Sequence, residues 1–204
     1  MKNILLFILV IILAFAGYYW YSSGNKKSSE NEAKLEPFAL KKHSEAFNGA
    51  VSAAMNAYFD MAEAFVEADT AKVKEHNRRF IQLLDSIPMD ELKNDTAHIY
   101  DMALNSLSGI KSNAESVLNM TDIQEMRKDF SMVSENLYPF FRVINYEGEN
   151  MYWQNCPMAF DDDKEANWIS RTKEVYNPYL GKKHPKYRAT MLHCGMVKDT
   201  IKAH

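Results

Sequence analysis

The stretch IYDMALNSLSGIKSNAESV, residues 99–117, sets Ile99, Ala103, Leu107, Ile110, Ala114 and Val117 at intervals of three or four. At 3.6 residues per turn these side chains share one face, so the stretch reads as an amphipathic helix. The same period recurs on both sides. Upstream, Phe47, Val51, Met55, Tyr58, Ala62 and Phe65 mark one helix. Val73, Phe80, Leu84 and Ile87 mark another, with Asp69 and Thr70 as candidate N-caps and Pro88 as its stop. Downstream, a helix opens at Thr121, with Asp122 and Glu125 where negative charge suits the helix dipole. It continues through Ile123, Met126, Phe130, Val133, Leu137, Phe141 and Ile144, and Pro139 predicts a kink or an early end within it. Amphipathic helices joined by short connections pack as antiparallel neighbours. The expected fold is therefore all-α: an up-down four-helix bundle over residues 37–147.

Beyond Gly148 the helical period is lost. Residues 148–204 hold both cysteines, Trp153 and Trp168, and three of the 6 prolines. This reads as an irregular Cys/Met-containing tail packed on the bundle as part of the same domain, closed by a short helix from Met196 to Lys202. A stretch this long without regular structure is usually functional or pinned by a cross-link.

At the other end, Lys2 precedes an apolar run from Ile4 to Ala16, followed by Tyr18, Tyr19, Trp20 and Tyr21. Residues 1–21 read either as a signal peptide, cleaved after Ala14-Phe15-Ala16, or as a membrane anchor with an aromatic belt. Residues 22–36 are Ser, Asn, Lys and Glu with little apolar content, a solvated spacer. The expected location is periplasmic, either anchored to the inner membrane through the N-terminal segment or secreted.

Composition narrows the function. Only 7 glycines and 6 prolines, with 47% apolar residues, suit a helical core. A net charge of −3 without a basic stripe argues against a nucleic-acid partner. No Gly-rich phosphate loop, G-x-S-x-G or H-E-x-x-H occurs, and the Glu and Glu-x-x-His sets of di-iron bundles are missing. His43, His76 and His98 fall on separate helical patterns. No enzyme is expected.

The chemistry concentrates in two arms of the tail. Cys156 and Met158 flank Pro157, while Met191, His193, Cys194 and Met196 lie within six residues. Thiolate, thioether and imidazole are the soft donors that select Cu(I) or Ag(I) over hard cations. The run Asp161-Asp162-Asp163 lacks the spacing of a calcium loop. Cys156 and Cys194 have a second reading, a structural disulfide in an oxidising compartment. It would close a loop of about 38 residues and contribute ~4 kcal/mol in the chain-entropy model. Both readings stand on the residues alone.

The tail also carries an ordered pattern: Cys156-Pro157-Met158, Trp168-Ile169-Ser170, Asn177-Pro178-Tyr179-Leu180-Gly181 and Met191-Leu192-His193-Cys194-Gly195. It resembles an uncharacterised Bacteroidota domain family, found as small exported proteins and fused to membrane-fusion subunits of copper/silver efflux pumps. The likeness is close over the tail and looser over the bundle from about Phe38. It implies heavy-metal handling, with an efflux-pump membrane-fusion component as partner, and points to Cys156, Met158, Met191 and Cys194 as metal ligands. Relatives often carry a His where this chain has Asn155, a role His193 could take. The longer link Lys182–Thr190 also departs from the family pattern. The resemblance favours Cu(I) binding, as a chaperone, buffer or pump accessory; the alternative is a disulfide-stapled interaction module of the cell envelope. Trp168 is expected to pack the tail on the bundle, and Asn177 to bond the backbone of its own turn.

Overall fold

The structure is a computed structural model that describes residues 42–95, 98–160 and 163–202. These belong to one compact unit, residues 37–204. The expected signal or anchor segment and the spacer lie outside the described residues. Among the described residues, no helix is long and apolar enough to cross a membrane.

The four helices form where the periodicity places them: α1 (Glu45–Val66), α2 (Thr70–Asp85), α3 (Ile99–Asn119) and α4 (Ile123–Val143), with a short 3-10 helix, Met89–Asn94, before α3. Three of them open on side-chain caps. Ser44 Oγ accepts from Phe47 N–H at 3.1 Å, Asp69 Oδ1 from Lys72 N–H at 3.1 Å, and Asp122 Oδ1 from Gln124 N–H at 2.8 Å. Each cap satisfies an orphan donor of the first turn. α1 and α4 close on left-handed residues, Ala68 and Asn145. In both, paired N–H groups turn back on the last carbonyls, Ala68 to Phe65 with Asp69 to Ala64, and Asn145 to Arg142 with Tyr146 to Phe141. Pro139 does not end α4, which continues to Val143. Its ring only denies the Glu135 carbonyl its usual donor.

All six apolar positions of the 99–117 stretch are buried. α2 packs on α1 and α3, and α3 packs on α4. α1 and α4 meet through large side chains, with Phe130 stacked on Tyr58 and tilted against Phe65 at centroid distances of 5.1 and 4.8 Å.

The expectation of an all-α fold with an irregular tail is overturned. The tail forms a three-stranded antiparallel sheet in the order β2-β1-β3, made by β1 (Met151–Phe160), β2 (Lys164–Ser170) and β3 (Met196–Ile201). The fold is mixed α/β, and the segment expected as a last helix from Met196 is strand β3. β1 escapes sequence reading because it is the central strand and is covered on both faces. Trp153, Gln154, Asn155 and Cys156 are buried in succession, so no apolar–polar alternation appears. Pro157 also argues against a central strand. It is accommodated because pairing with β3 ends at Asn155↔Met196 and the register with β2 shifts between Cys156 and Phe160.

The sheet docks on the bundle through polar groups as well as apolar ones. Ile169 N–H on the outer edge of β2 donates to Tyr58 Oη at 3.1 Å, and Tyr58 Oη lies 2.7 Å from Ser134 Oγ of α4. The Tyr179 hydroxyl donates to the Asn167 carbonyl on the same strand. Trp168, buried as expected, stands edge-on to Tyr179 at 5.8 Å. Arg127 of α4, 1% exposed, donates from Nε to Pro178 O at 2.9 Å and from Nη2 to Phe65 O at 3.0 Å. Lys182 N–H takes the Val66 carbonyl at 2.8 Å. Gly181 makes that approach possible: its φ is +55°, and a Cβ there would stand 2.7 Å from Val66 O.

Replacing Tyr58 by Phe keeps the ring and strands Ile169 N–H, while Ser134 Oγ retains its bond to the Phe130 carbonyl. A loss of about 1–3 kcal/mol is expected, the cost of leaving a buried partner unpaired. Urea unfolding at neutral pH measures it, and a variant as stable as the parent would mean that the hydroxyl is dispensable at this junction.

Candidate functional site

Cys156 is the last residue of β1 paired with β2 before the register shift, opposite Ala166. Cys194 lies in the turn leading into β3, its N–H donating to Met191 O at 3.0 Å. Gly195 follows with φ +142°, and a Cβ on it would stand 2.6 Å from Asn155 O. Glycine at 195 therefore lets the turn close onto β1, next to Cys156. The two sulfurs come to 3.4 Å, and both cysteines are free thiols.

Asn177 binds this arrangement together. Fully buried, it donates from Nδ2 to the Cys194 carbonyl at 2.7 Å. Its Oδ1 accepts from Tyr179 N–H at 2.8 Å and Leu180 N–H at 3.0 Å, the local turn expected of an Asn-Pro pair. Its amide also favours the Cys156 thiolate, while Asn177 N–H reaches Leu192 O at 2.8 Å. One residue thus fastens the Cys194 segment beside Cys156.

Burial pushes the Cys156 thiol up to about 11, and the neighbouring Cys194 sulfur pushes the same way, outweighing the opposing hydrogen bonds from Met158 N–H and Asn177. Cys156 is therefore a thiol at neutral pH. Cys194 is only half-buried and gives the pair its approach from solvent.

The other residues singled out by the sequence are placed differently. Met158 and Met191 are half-buried and pack against the core. Met158 lines a cavity of about 480 Å³ with Phe160, Leu180, His184 and Tyr187. His193 is exposed: Nδ1 donates to the Val175 carbonyl at 2.7 Å, and the ring sits edge-on to Tyr176 at 5.3 Å. Among the described residues, no three His, Cys, Asp or Glu side chains are grouped to hold a metal ion. The centre of the site is the pair of thiols.

Sequence reasoning found the cysteines and the Asn177 turn, but not Asn177's part in fastening the Cys194 segment beside Cys156. It also passed over two polar residues beside Cys156. Gln154 Nε2 bonds Thr172 O at 2.8 Å, leaving its buried Oε1 unpartnered. Asn155 Nδ2 bonds Asn167 Oδ1 at 2.9 Å. Adjacent amides in an otherwise apolar strand were the available signal.

Fold and site define the class of protein: a four-helix domain extended by a small antiparallel sheet, with a thiol pair, one buried and one half-buried, where the sheet's centre meets the turn into its edge strand. Residues 54–147 match a family model described as a protein of unknown function (DUF3347), an uncharacterised domain family. The matched span ends before β1; it therefore falls on the helices, whereas the resemblance read from the sequence was closest over the tail. No curated protein and no solved structure matches the chain.

The raised Cys156 pKa has a stability consequence with a definite sign. The folded protein keeps a proton that the unfolded chain releases near the thiol's ordinary 9.0, so this contribution is complete below pH 9.0 and is lost as pH rises through about 11. Under reducing conditions the melting temperature should fall over that window more steeply for the parent than for Cys156→Ala. Tyr58 and Tyr179, also raised by burial, are common to both proteins and cancel in the comparison. Equal slopes would contradict the assignment.

Proposed function

We propose that the chain binds a soft d¹⁰ ion, Cu(I) or Ag(I), on the thiolates of Cys156 and Cys194, as an extracytoplasmic chaperone, buffer or accessory of an efflux pump. The carrying observation is the 3.4 Å approach of two free sulfurs. Among the described residues the pair of soft sulfurs has no surrounding set of imidazoles and carboxylates, and two soft donors favour ions that accept few, soft ligands over zinc, magnesium and calcium. The pump and the extracytoplasmic setting follow from the resemblance of the tail and from the N-terminal apolar run.

The protein's own groups have clear roles in such a site. Half-buried Cys194 receives the ion first. Cys156 completes the site by giving up its proton, and the neighbouring Asn177 amide favours the thiolate so formed. Met191 stands on the same turn as Cys194 and is the candidate for a supporting thioether; Met158 is the second. Because Cys156 is protonated at neutral pH, binding releases a proton, and affinity rises by about tenfold per pH unit for each proton displaced.

The test is a Cu(I) titration of the reduced full chain under anaerobic conditions against a Cu(I)-specific chelator, beside Cys156→Ser and Cys194→Ser. One ion per chain is expected, with binding lost in both variants while circular dichroism shows the fold retained. A Met191→Ala variant should weaken binding without abolishing it. If the chelator keeps all the copper although both thiols are free, the proposal fails. If the isolated protein has no free thiol until it is reduced, and reduced protein still takes no copper, the cysteines are a staple and the domain is better read as an interaction module.

A further inference from the structure

The two cysteines are unequal in ways that metal binding alone does not require. Cys156 is fully buried on a strand paired on both sides, whereas Cys194 is half-buried in a turn outside the sheet ladder. We propose that Cys194 is a site of thiol–disulfide exchange with Cys156 as its resolving partner, so that an external disulfide converts the pair from an open dithiol into a closed cross-link. The exchange stands on the geometry alone; its role as a gate on metal binding rests on the function proposed above.

The Cys194 thiolate attacks one sulfur of an external disulfide, R–S–S–R. That S–S bond breaks, a mixed disulfide forms on Cys194, and one R–S⁻ leaves. The Cys156 thiolate, whose sulfur lies 3.4 Å from Cys194 Sγ, then attacks that atom. The mixed disulfide breaks, the Cys156–Cys194 bond forms, and the second R–S⁻ leaves. The two thiol protons end on the two R–S⁻ groups, and two electrons pass from the pair to the external disulfide.

Two observations fix the order. An external disulfide can be reached from the half-buried Cys194 and not from the fully buried Cys156. Asn177 and Gly195 hold the Cys194 turn against β1, which keeps the resolving sulfur in contact once the first step is complete.

The experiment treats the reduced full chain with oxidised glutathione at neutral pH and follows its mass with time. Wild type should lose two hydrogens without a lasting adduct. Cys156→Ser should accumulate one glutathione on Cys194, and Cys194→Ser should react at least tenfold more slowly. On wild type alone, a short iodoacetamide pulse followed by peptide mapping should label Cys194 before Cys156, which keeps the test independent of variant folding. Comparable rates for the two variants, first labelling at Cys156, or a lasting adduct on wild type would overturn the proposal. Copper retention separates the two readings. Loss of Cu(I) binding on oxidation supports the gate. If reduced protein binds no copper, the metal reading falls while the adduct pattern still decides the exchange.

Discussion

Every buried backbone group at the seam between sheet and bundle needs a partner, and this constraint organises the rest of the molecule. A sheet edge turned toward packed helices has donors and acceptors that water cannot reach, each costing roughly 1–3 kcal/mol if left unmade. Two tyrosines from different elements meet the need on β2, Tyr58 at Ile169 N–H and Tyr179 at Asn167 O. The C-terminal end of α1 poses the complementary problem, carbonyls that lack the donor four residues on. Arg127 and the Lys182 N–H answer it. Burial pulls the Arg127 guanidinium down to about 10, with Asp122 opposing the change, and it stays charged at neutral pH. Its hydrogen bonds to the Phe65 and Pro178 carbonyls lie on opposite sides of the seam, so this one side chain links helix end to tail.

The thiol pair inherits its geometry from that link. Pro178 O receives Arg127, and the adjoining Asn177 donates to Cys194 O while accepting from Tyr179 and Leu180. A helix side chain therefore positions a turn, the turn positions one cysteine segment, and the strand behind it carries the other. Contacts of this kind within one network couple energetically, so changes at Arg127 and at Asn177 should not simply add.

The helices were legible because each repeats its apolar residues over four or five turns, and a periodic signal survives a few exceptions. The exceptions were the informative residues. Arg127 and Asn77 fall on buried positions of α4 and α2, where the apolar period alone does not point to them. The sheet was illegible for a different reason. A central strand covered on both faces has no alternation, Pro157 spoke against it, and β3 is so exposed that its pattern carries no face at all. The cysteines could be recognised from residue type and compartment. Their meeting depends on contacts about 38 residues apart and on Asn177, which no local pattern encodes.

Both proposed chemistries of the pair ask something further of the geometry, because neither is complete as it stands. A disulfide needs its sulfurs at about 2.0 Å, and a bound ion must enter between sulfurs now in contact at 3.4 Å. One sulfur has to move in either case. Cys156 is poorly placed to do so: it lies in the sheet's centre strand, paired to Ala166 across the ladder, with Asn155 before it bonded to β2 and paired with β3. Cys194 is held by a turn, one amide and a glycine that has already left the extended conformation. In either proposal the adjustment therefore falls on the Met191–Gly195 turn, with the sheet and the bundle beneath it as the template against which the Cys194 sulfur would close or open.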